Sequence, residues 1–425
     1  MFQDFFEYHQ KTKHSYYSVR SNPNRIDWDN PPSRFKPYPQ EVKKVVLDLD
    51  KENHRFIYQT AGVTAKKSYP GVEYYLRVNP SAGALYPNEI YFQSRNNRDI
   101  DDGIYHYDSA SNSIELLTSI NDDGLEPYFG YENKQNGFIF LVSSVYFRSS
   151  WKYKNRAYRY CLLDAGHILG ALEASAYSFS KSYNIRYDFD KVALNSIFGF
   201  KSDEFFTSAF TMLFPTNKDV KTLDIKFDYV NPTGEFVKNE LVEDAYKDSL
   251  LIKNKLPQTL APNFNYNKEV FQEVILNRRS IREFSQGSMS KIEFDMILKN
   301  IKDNITSDCD EEVEIYYVIN RVKDMILGLY KDDVLLKEGD LKEKAGYLCL
   351  EQDLGKSSAV TFFLTTTSKN YQASYQKAGI IGHRLYLAAN YLGYGCSGIG
   401  AYYDDEVCEF IAKNTMVLYA LAIGK

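Results

Sequence analysis

The feature that most limits what this chain can become is that it nearly repeats itself. "AGHILGALEASAY" (Ala165 to Tyr177) and "AGIIGHRLYLAANY" (Ala378 to Tyr391) open with the same Ala-Gly and carry apolar residues at matching places. Cys161, Ala165, Ile168, Leu172 and Ala176 follow helical spacing in the first, and Ala378, Ile381, Leu385, Ala388 and Leu392 in the second. Each stretch predicts a long buried helix whose small residues let neighbours approach closely. Shorter strand-like runs pair in the same way: "NEIYFQS" with "EIYYVIN", and "FIFLVSS" with "VTFFLTT", each ahead of its long helix. Such a pattern predicts a duplicated unit of α+β class, each half a mostly antiparallel sheet flanked by helices.

The boundaries read as residues 1–215 for the first half and 268–425 for the second. Between them, 216–267 includes "NPTGEF" and "LPQTLAPNFNYN", rich in Pro and Asn, which reads as an extended connection. A content of 44% hydrophobic and 25% charged residues suits globular cores. Net charge is −5 with both signs interspersed, so there is no basic footprint for nucleic acid. No run reaches the ~18 apolar residues of a membrane span, and the opening "MFQDFFEYHQKTKHSYY" is unlike a signal peptide; a soluble, cytoplasmic protein is expected. Cys161, Cys309, Cys349, Cys396 and Cys408 form no CxxC pair and the histidines are dispersed, so buried thiols and no metal site are expected.

Two short segments carry chemical interest. "RVNPSAGALYP" (Arg77 to Pro87) combines two prolines with small residues. Such a loop has a fixed course and little bulk, so a flat ligand could lie on it, or it is an ordinary turn entering a strand. "NRRSIREF" gathers Arg278, Arg279, Ser280 and Arg282, donors suited to a phosphate or equally to a solvated surface patch. Just after it, Ser290 and Glu293 have capping-box spacing at a helix start. The first half has no such arginine cluster, and the second has no room for a PSAGALYP loop.

"LRVNPSAGALYPNEIYF", followed by "WKYKNRAYRYCLLDAGH", resembles the SagB/ThcOx-type dehydrogenases of the FMN-dependent nitroreductase superfamily. "RRSIREF", the Ala-Gly helix and "GYGCSGIGAYYDD" are similar to the general nitroreductase pattern, and "YHQKTKHSYY…DWDNPP…KPYP" to the opening of that dehydrogenase group. The resemblance implies two nitroreductase-like halves forming a pseudo-dimer within one chain, or exchanging halves in a homodimer, around one composite FMN site. It assigns Pro80, Ser81, Ala82 and Gly83 to the flavin ring. Arg278, Arg279, Ser280 and Arg282, with a turn at Gly398, Ile399 and Gly400, would come from the second half. Lys152 and Tyr153 become the proton-transfer pair. Arg156 and Arg159 are candidate substrate or phosphate ligands or helix-surface ion pairs, with Arg148 and His167 behind them. The implied activity is oxidation of a thiazoline or oxazoline to a thiazole or oxazole in a ribosomal or carrier-bound nonribosomal peptide precursor. A cyclodehydratase or carrier protein is the implied partner, with no nucleic acid and no membrane. Two alternatives remain: an NAD(P)H-dependent nitro or ene reductase, and a flavin-free scaffold of a biosynthetic complex, for which "NNRDIDDGIYHYDSASNSIELL", read as a solvated strand-loop-strand, offers little.

Overall fold

The computed structural model describes residues 5–21, 26–69, 72–250 and 259–425. The chain separates into two compact units: a larger one of residues 26–263 with 306–310, and a smaller one of 1–25, 264–305 and 311–425.

In the larger unit the strands Lys43–Val46, Ser113–Ser119, Gly103–Asp108, Asn88–Arg95, Asn133–Val145, Glu204–Asp219 and Asn184–Arg186 lie side by side in that order, every neighbouring pair antiparallel. The central strand carries Phe138 to Val142 without polar interruption, and all five are buried. A strand covered on both faces has no use for alternation, which is why this run reads as continuously apolar. The helix Ala157–Ser178 packs on the sheet; its residues Cys161, Ala165, Ile168, Leu172 and Ala176 are buried.

The smaller unit repeats the plan. Its strands run Val334–Glu338, Gly328–Lys331, Glu314–Ile319, Val360–Thr366, Met416–Gly424 and Gly395–Ile399, again antiparallel throughout. The helix Tyr371–Tyr391 occupies the place of Ala157–Ser178, and the short helix Asp404–Phe410 that of Lys191–Ile197. Asn370 starts the long helix by accepting the Ala373 amide with its side chain. Leu392 falls just beyond the helix end and is only half-buried, so the helical pattern stops at Tyr391. The capping box at Ser290 and Glu293 is present at the start of the helix Lys291–Lys302. Each half is therefore an antiparallel sheet with helices on it, and the repeat in the sequence is a repeat of topology; Lys43–Val46 is an extra edge strand in the larger unit.

Three segments differ from their reading in sequence. The tract 216–267 is not extended throughout: the strand Glu204–Asp219 continues into it, and the helix Glu240–Ser249 forms because Asn239 caps it and Val242, Ala245 and Tyr246 bury one face. Residues 251–258 of that tract lie outside the described residues. Secondly, residues 1–25 group with the smaller unit: the His14 amide donates to Asp404 at 2.8 Å, Lys13 pairs with Asp405 at 2.6 Å and Arg20 with Glu351 at 2.7 Å. Conversely, 306–310 groups with the larger unit, where Asp308 accepts the Tyr187 and Asp188 amides and pairs with Arg186. Thirdly, the strands of 103–119 are mostly buried rather than solvated, because His106 sits between Glu89 at 3.2 Å and Glu115 at 2.6 Å, all inside. Among the described residues no helix is long and apolar enough to cross a membrane.

Candidate functional site

The hairpin strand Val72–Arg77 leads into the small-residue loop, which delivers the chain to the strand Asn88–Arg95. Its course is unusual. Gly83, Ala84 and Tyr86 all have positive φ, at 64°, 53° and 47°, in the left-handed region that residues with a Cβ avoid. Pro80 is buried, Ser81 and Ala82 are half-buried, and Gly83 is exposed. Arg148, wholly buried, donates to the Tyr86 carbonyl at 2.9 Å and pairs with Glu89 at 2.6 Å. Burial works to raise the Glu89 carboxyl, but Arg148, His106 and Arg77 outweigh it and hold the group well below the usual carboxylate range. The Arg77 amide in turn donates to the Tyr86 hydroxyl at 3.0 Å.

Lys152 and Tyr153 end the helix Tyr146–Tyr153 and both are half-buried. They meet the loop at Gly83: a methyl group there would stand 2.9 Å from the Tyr153 hydroxyl and 3.1 Å from the Lys152 amine. Tyr153 stacks on Tyr160 with ring centroids 4.0 Å apart, and the Lys152 amine lies 5.5 Å from the Tyr153 ring centre. Two motifs far apart in sequence are thus one surface in space. Lys154 turns the chain with a φ of 47° directly after the pair. Trp151 anchors the same helix by donating its indole N–H to the Asp27 carbonyl at 2.9 Å, which gives the early "DWDNPP" segment a structural task. Arg156 and Arg159 are buried, which overturns their reading as helix-surface ion pairs.

One group escaped the sequence reading. Asp164, on the helix Ala157–Ser178, is buried and accepts the Ser81 hydroxyl at 2.5 Å and the Ala82 amide at 3.3 Å. Burial pushes its carboxyl up to about 7 against the pull of those two bonds. The available signal was an acid inside the otherwise apolar "CLLDAGHILGAL".

In the smaller unit the three arginines differ in burial. Arg278 caps the helix Lys268–Asn277 and is buried, its guanidinium 5.1 Å from the Tyr386 ring centre. Arg279 is half-buried and donates to the Leu276 carbonyl and its own neighbour's, and Arg282 is exposed. Between them Ser280 bridges to Cys396 in the strand Gly395–Ile399. The Tyr386 hydroxyl gathers Ser280 at 2.8 Å and the Gly398 amide at 2.7 Å. Gly398 and Ile399 close the strand Gly395–Ile399 instead of making a turn; Gly400 follows it. Gly398 is required by space, since a Cβ would lie 1.9 Å from the Tyr419 hydroxyl. Burial, helped by Arg278, lowers His383 to about 3, so it is a neutral imidazole there.

Residues 275–425 match the profile of the nitroreductase family. This segment is similar to the nitroreductase family. The whole chain superposes on a crystal structure from Anabaena variabilis, assigned by name to the nitroreductases, with a TM-score of 0.82 over 100% of both chains at 23% identity. The nitroreductase fold therefore extends across both halves. A protein of Methanocaldococcus jannaschii, also assigned by name to the nitroreductases, is 27% identical over 178 residues, 36% of this chain and 90% of its own. The nitroreductase match takes in Arg278 to Arg282 and Gly398 to Gly400; the loop of Pro80 to Gly83 and the Lys152-Tyr153 pair lie outside it.

Proposed function

We propose that the protein is an FMN-dependent dehydrogenase that converts a thiazoline or oxazoline in a peptide-derived substrate to the aromatic azole. The observation that carries this reading is the contact of Gly83 with the Lys152 amine and the Tyr153 hydroxyl. The absence of a side chain at Gly83 lets the loop backbone lie close against the two groups that the family resemblance assigns to proton transfer. The loop's lack of side-chain bulk suits a flat ring, and Arg278, Arg279, Ser280 and Arg282 are donors of the kind that bind a phosphate. FMN, when bound, supplies the acceptor for the hydride lost from the substrate ring.

The chain's own share is binding, orientation and the proton. The backbone of Pro80, Ser81, Ala82 and Gly83 offers the flat face, and the arginines with Ser280 and the Gly398–Gly400 segment hold the phosphate. The ring hydrogen between carbonyl and imine is acidic, and Lys152 removes it in its neutral form, with Tyr153 orienting the amine or relaying the proton. The stack of Tyr153 on Tyr160 fixes the phenol for that task. A peptide substrate would reach the site as the product of a cyclodehydratase or on a carrier protein.

The test is Lys152→Ala in the flavin-loaded protein. FMN content should stay at the wild-type level while azole formation falls by about 100-fold or more. Unchanged turnover with FMN bound would sink the assignment. The match of residues 275–425 to the wider nitroreductase family favours one other reading, a nitro or ene reductase using NAD(P)H. That enzyme would be bleached rapidly by NADPH and be indifferent to Lys152.

A further inference from the structure

We propose that Asp164 is a positioning residue for the 81–86 loop, and that it holds the loop more firmly as a carboxylate than as a neutral acid. The inference rests on the reading of that loop as the seat of the flavin ring.

The loop needs holding. Ala84 and Tyr86 sit at positive φ although each carries a Cβ, so their course persists only where other bonds impose it. Arg148 and Arg77 secure the loop's far end, through the carbonyl and the hydroxyl of Tyr86. Among the described residues Asp164 is the one side chain bonded to its near end, at Ser81 and Ala82. Ser81 passes the constraint on, because its hydroxyl oxygen also accepts the Tyr86 amide at 2.9 Å.

Protonation changes that arrangement. As a carboxylate, Asp164 accepts both the Ser81 hydroxyl and the Ala82 amide, and bonds to an ionised acceptor are the stronger kind. As a neutral acid it must place its own proton, and the nearest acceptor is the Ser81 oxygen. That oxygen would then take two donors and its hydroxyl hydrogen would lose its acceptor, which loosens Ser81 and with it Tyr86. The groups acting on Asp164 are few. Burial raises it to about 7, opposed by the bonds from the Ser81 hydroxyl and the Ala82 amide. Cys161, one turn earlier on the same helix, is raised by burial and by Asp164 and remains a thiol. Lys152 and Tyr153 meet the loop at Gly83 instead. Among the described residues no cation pairs with Asp164, so both of its forms are accessible near neutrality.

The experiment is a titration of FMN into the cofactor-free protein between about pH 6 and pH 8, read by flavin fluorescence. Wild type should bind at least about threefold more tightly at the upper end, as the fraction of chains with an ordered loop rises. Asp164→Asn, which imitates the neutral acid, should bind across the range at the wild type's low-pH affinity. Ser81→Ala should move the inflection to higher pH, because the lost hydroxyl was lowering the carboxyl. A flat wild-type curve, or an Asp164→Asn curve that tracks the wild type, overturns the inference. If wild type binds no FMN at all, the proposed function fails. The loop is then judged without cofactor: protease cleavage at 81–86 that rises on acidification in wild type and not in Asp164→Asn supports the positioning role, and equal cleavage overturns it.

Discussion

Gly83 is the residue on which the larger unit's site turns. Alanine there would combine a φ of +64° with a methyl group 2.9 Å from the Tyr153 hydroxyl, so strain and displacement act together. Gly83→Ala should cost roughly 1–2 kcal/mol in urea denaturation. On the proposed function it should also reduce turnover by about 100-fold, since Lys152 and Tyr153, proposed to transfer the proton, move off their geometry. Asp164 has a different signature. Its folded carboxyl, at about 7, lies above the unfolded value near 3.8, so the folded state binds more protons between the two. Stability contributed by that proton is complete below about pH 4 and is lost as pH rises to about 7, by up to about 4 kcal/mol. Chemical denaturation of Asp164→Asn should be flat over that window and cross the wild-type curve, the variant being the more stable at pH 8. A parallel pair of curves would show that the carboxyl titrates elsewhere. No reading of the sequence could have paired Asp164 with Ser81, because their separation of 83 residues is closed only by the fold. The Lys152-Tyr153 pair is singled out by the family resemblance alone, and its nearness to Gly83 appears only in the fold.

Elements were legible where burial imposes a period. The helices Ala157–Ser178 and Tyr371–Tyr391 announce themselves because one small-residue face recurs every turn, and the strands Asn133–Val145 and Val360–Thr366 because both of their faces are covered. The helix Glu240–Ser249 was hidden by the Pro- and Asn-rich sequence around it, even though Asn239 supplies an ordinary cap. Caps and anchors give predictions at this scale. Ser290→Ala removes the acceptor for the Glu293 amide and should lower stability by about 1 kcal/mol in a urea titration. Arg148→Met is a harsher change, for it removes the nearest cation from buried Glu89, leaving His106, and frees the Tyr86 carbonyl. A loss of about 3–5 kcal/mol is expected by denaturation, with the loop becoming sensitive to protease.

For the molecule as a whole, the repeat of strand order in two sheets makes flavin stoichiometry the decisive number. We expect one FMN per chain, by absorbance and by chromatography of the released cofactor, because the loop proposed to seat the ring occurs in one half and the arginines proposed to hold the phosphate in the other. Two would mean that each half kept a complete site, and none would favour the scaffold reading. The repeat itself could be read from sequence; the assignment of residues 1–25 to the smaller unit could not, as it depends on bonds such as His14 to Asp404, 390 positions apart. That interleaving reaches beyond architecture into biosynthesis. Residues 5–21, translated before any of the larger unit, belong to a body whose main part is translated after it, so the smaller unit is completed only once residues 311–425 emerge. A gene split at the midpoint would strand the opening segment on the wrong polypeptide, and two separately made halves would have to find each other before that unit could finish folding.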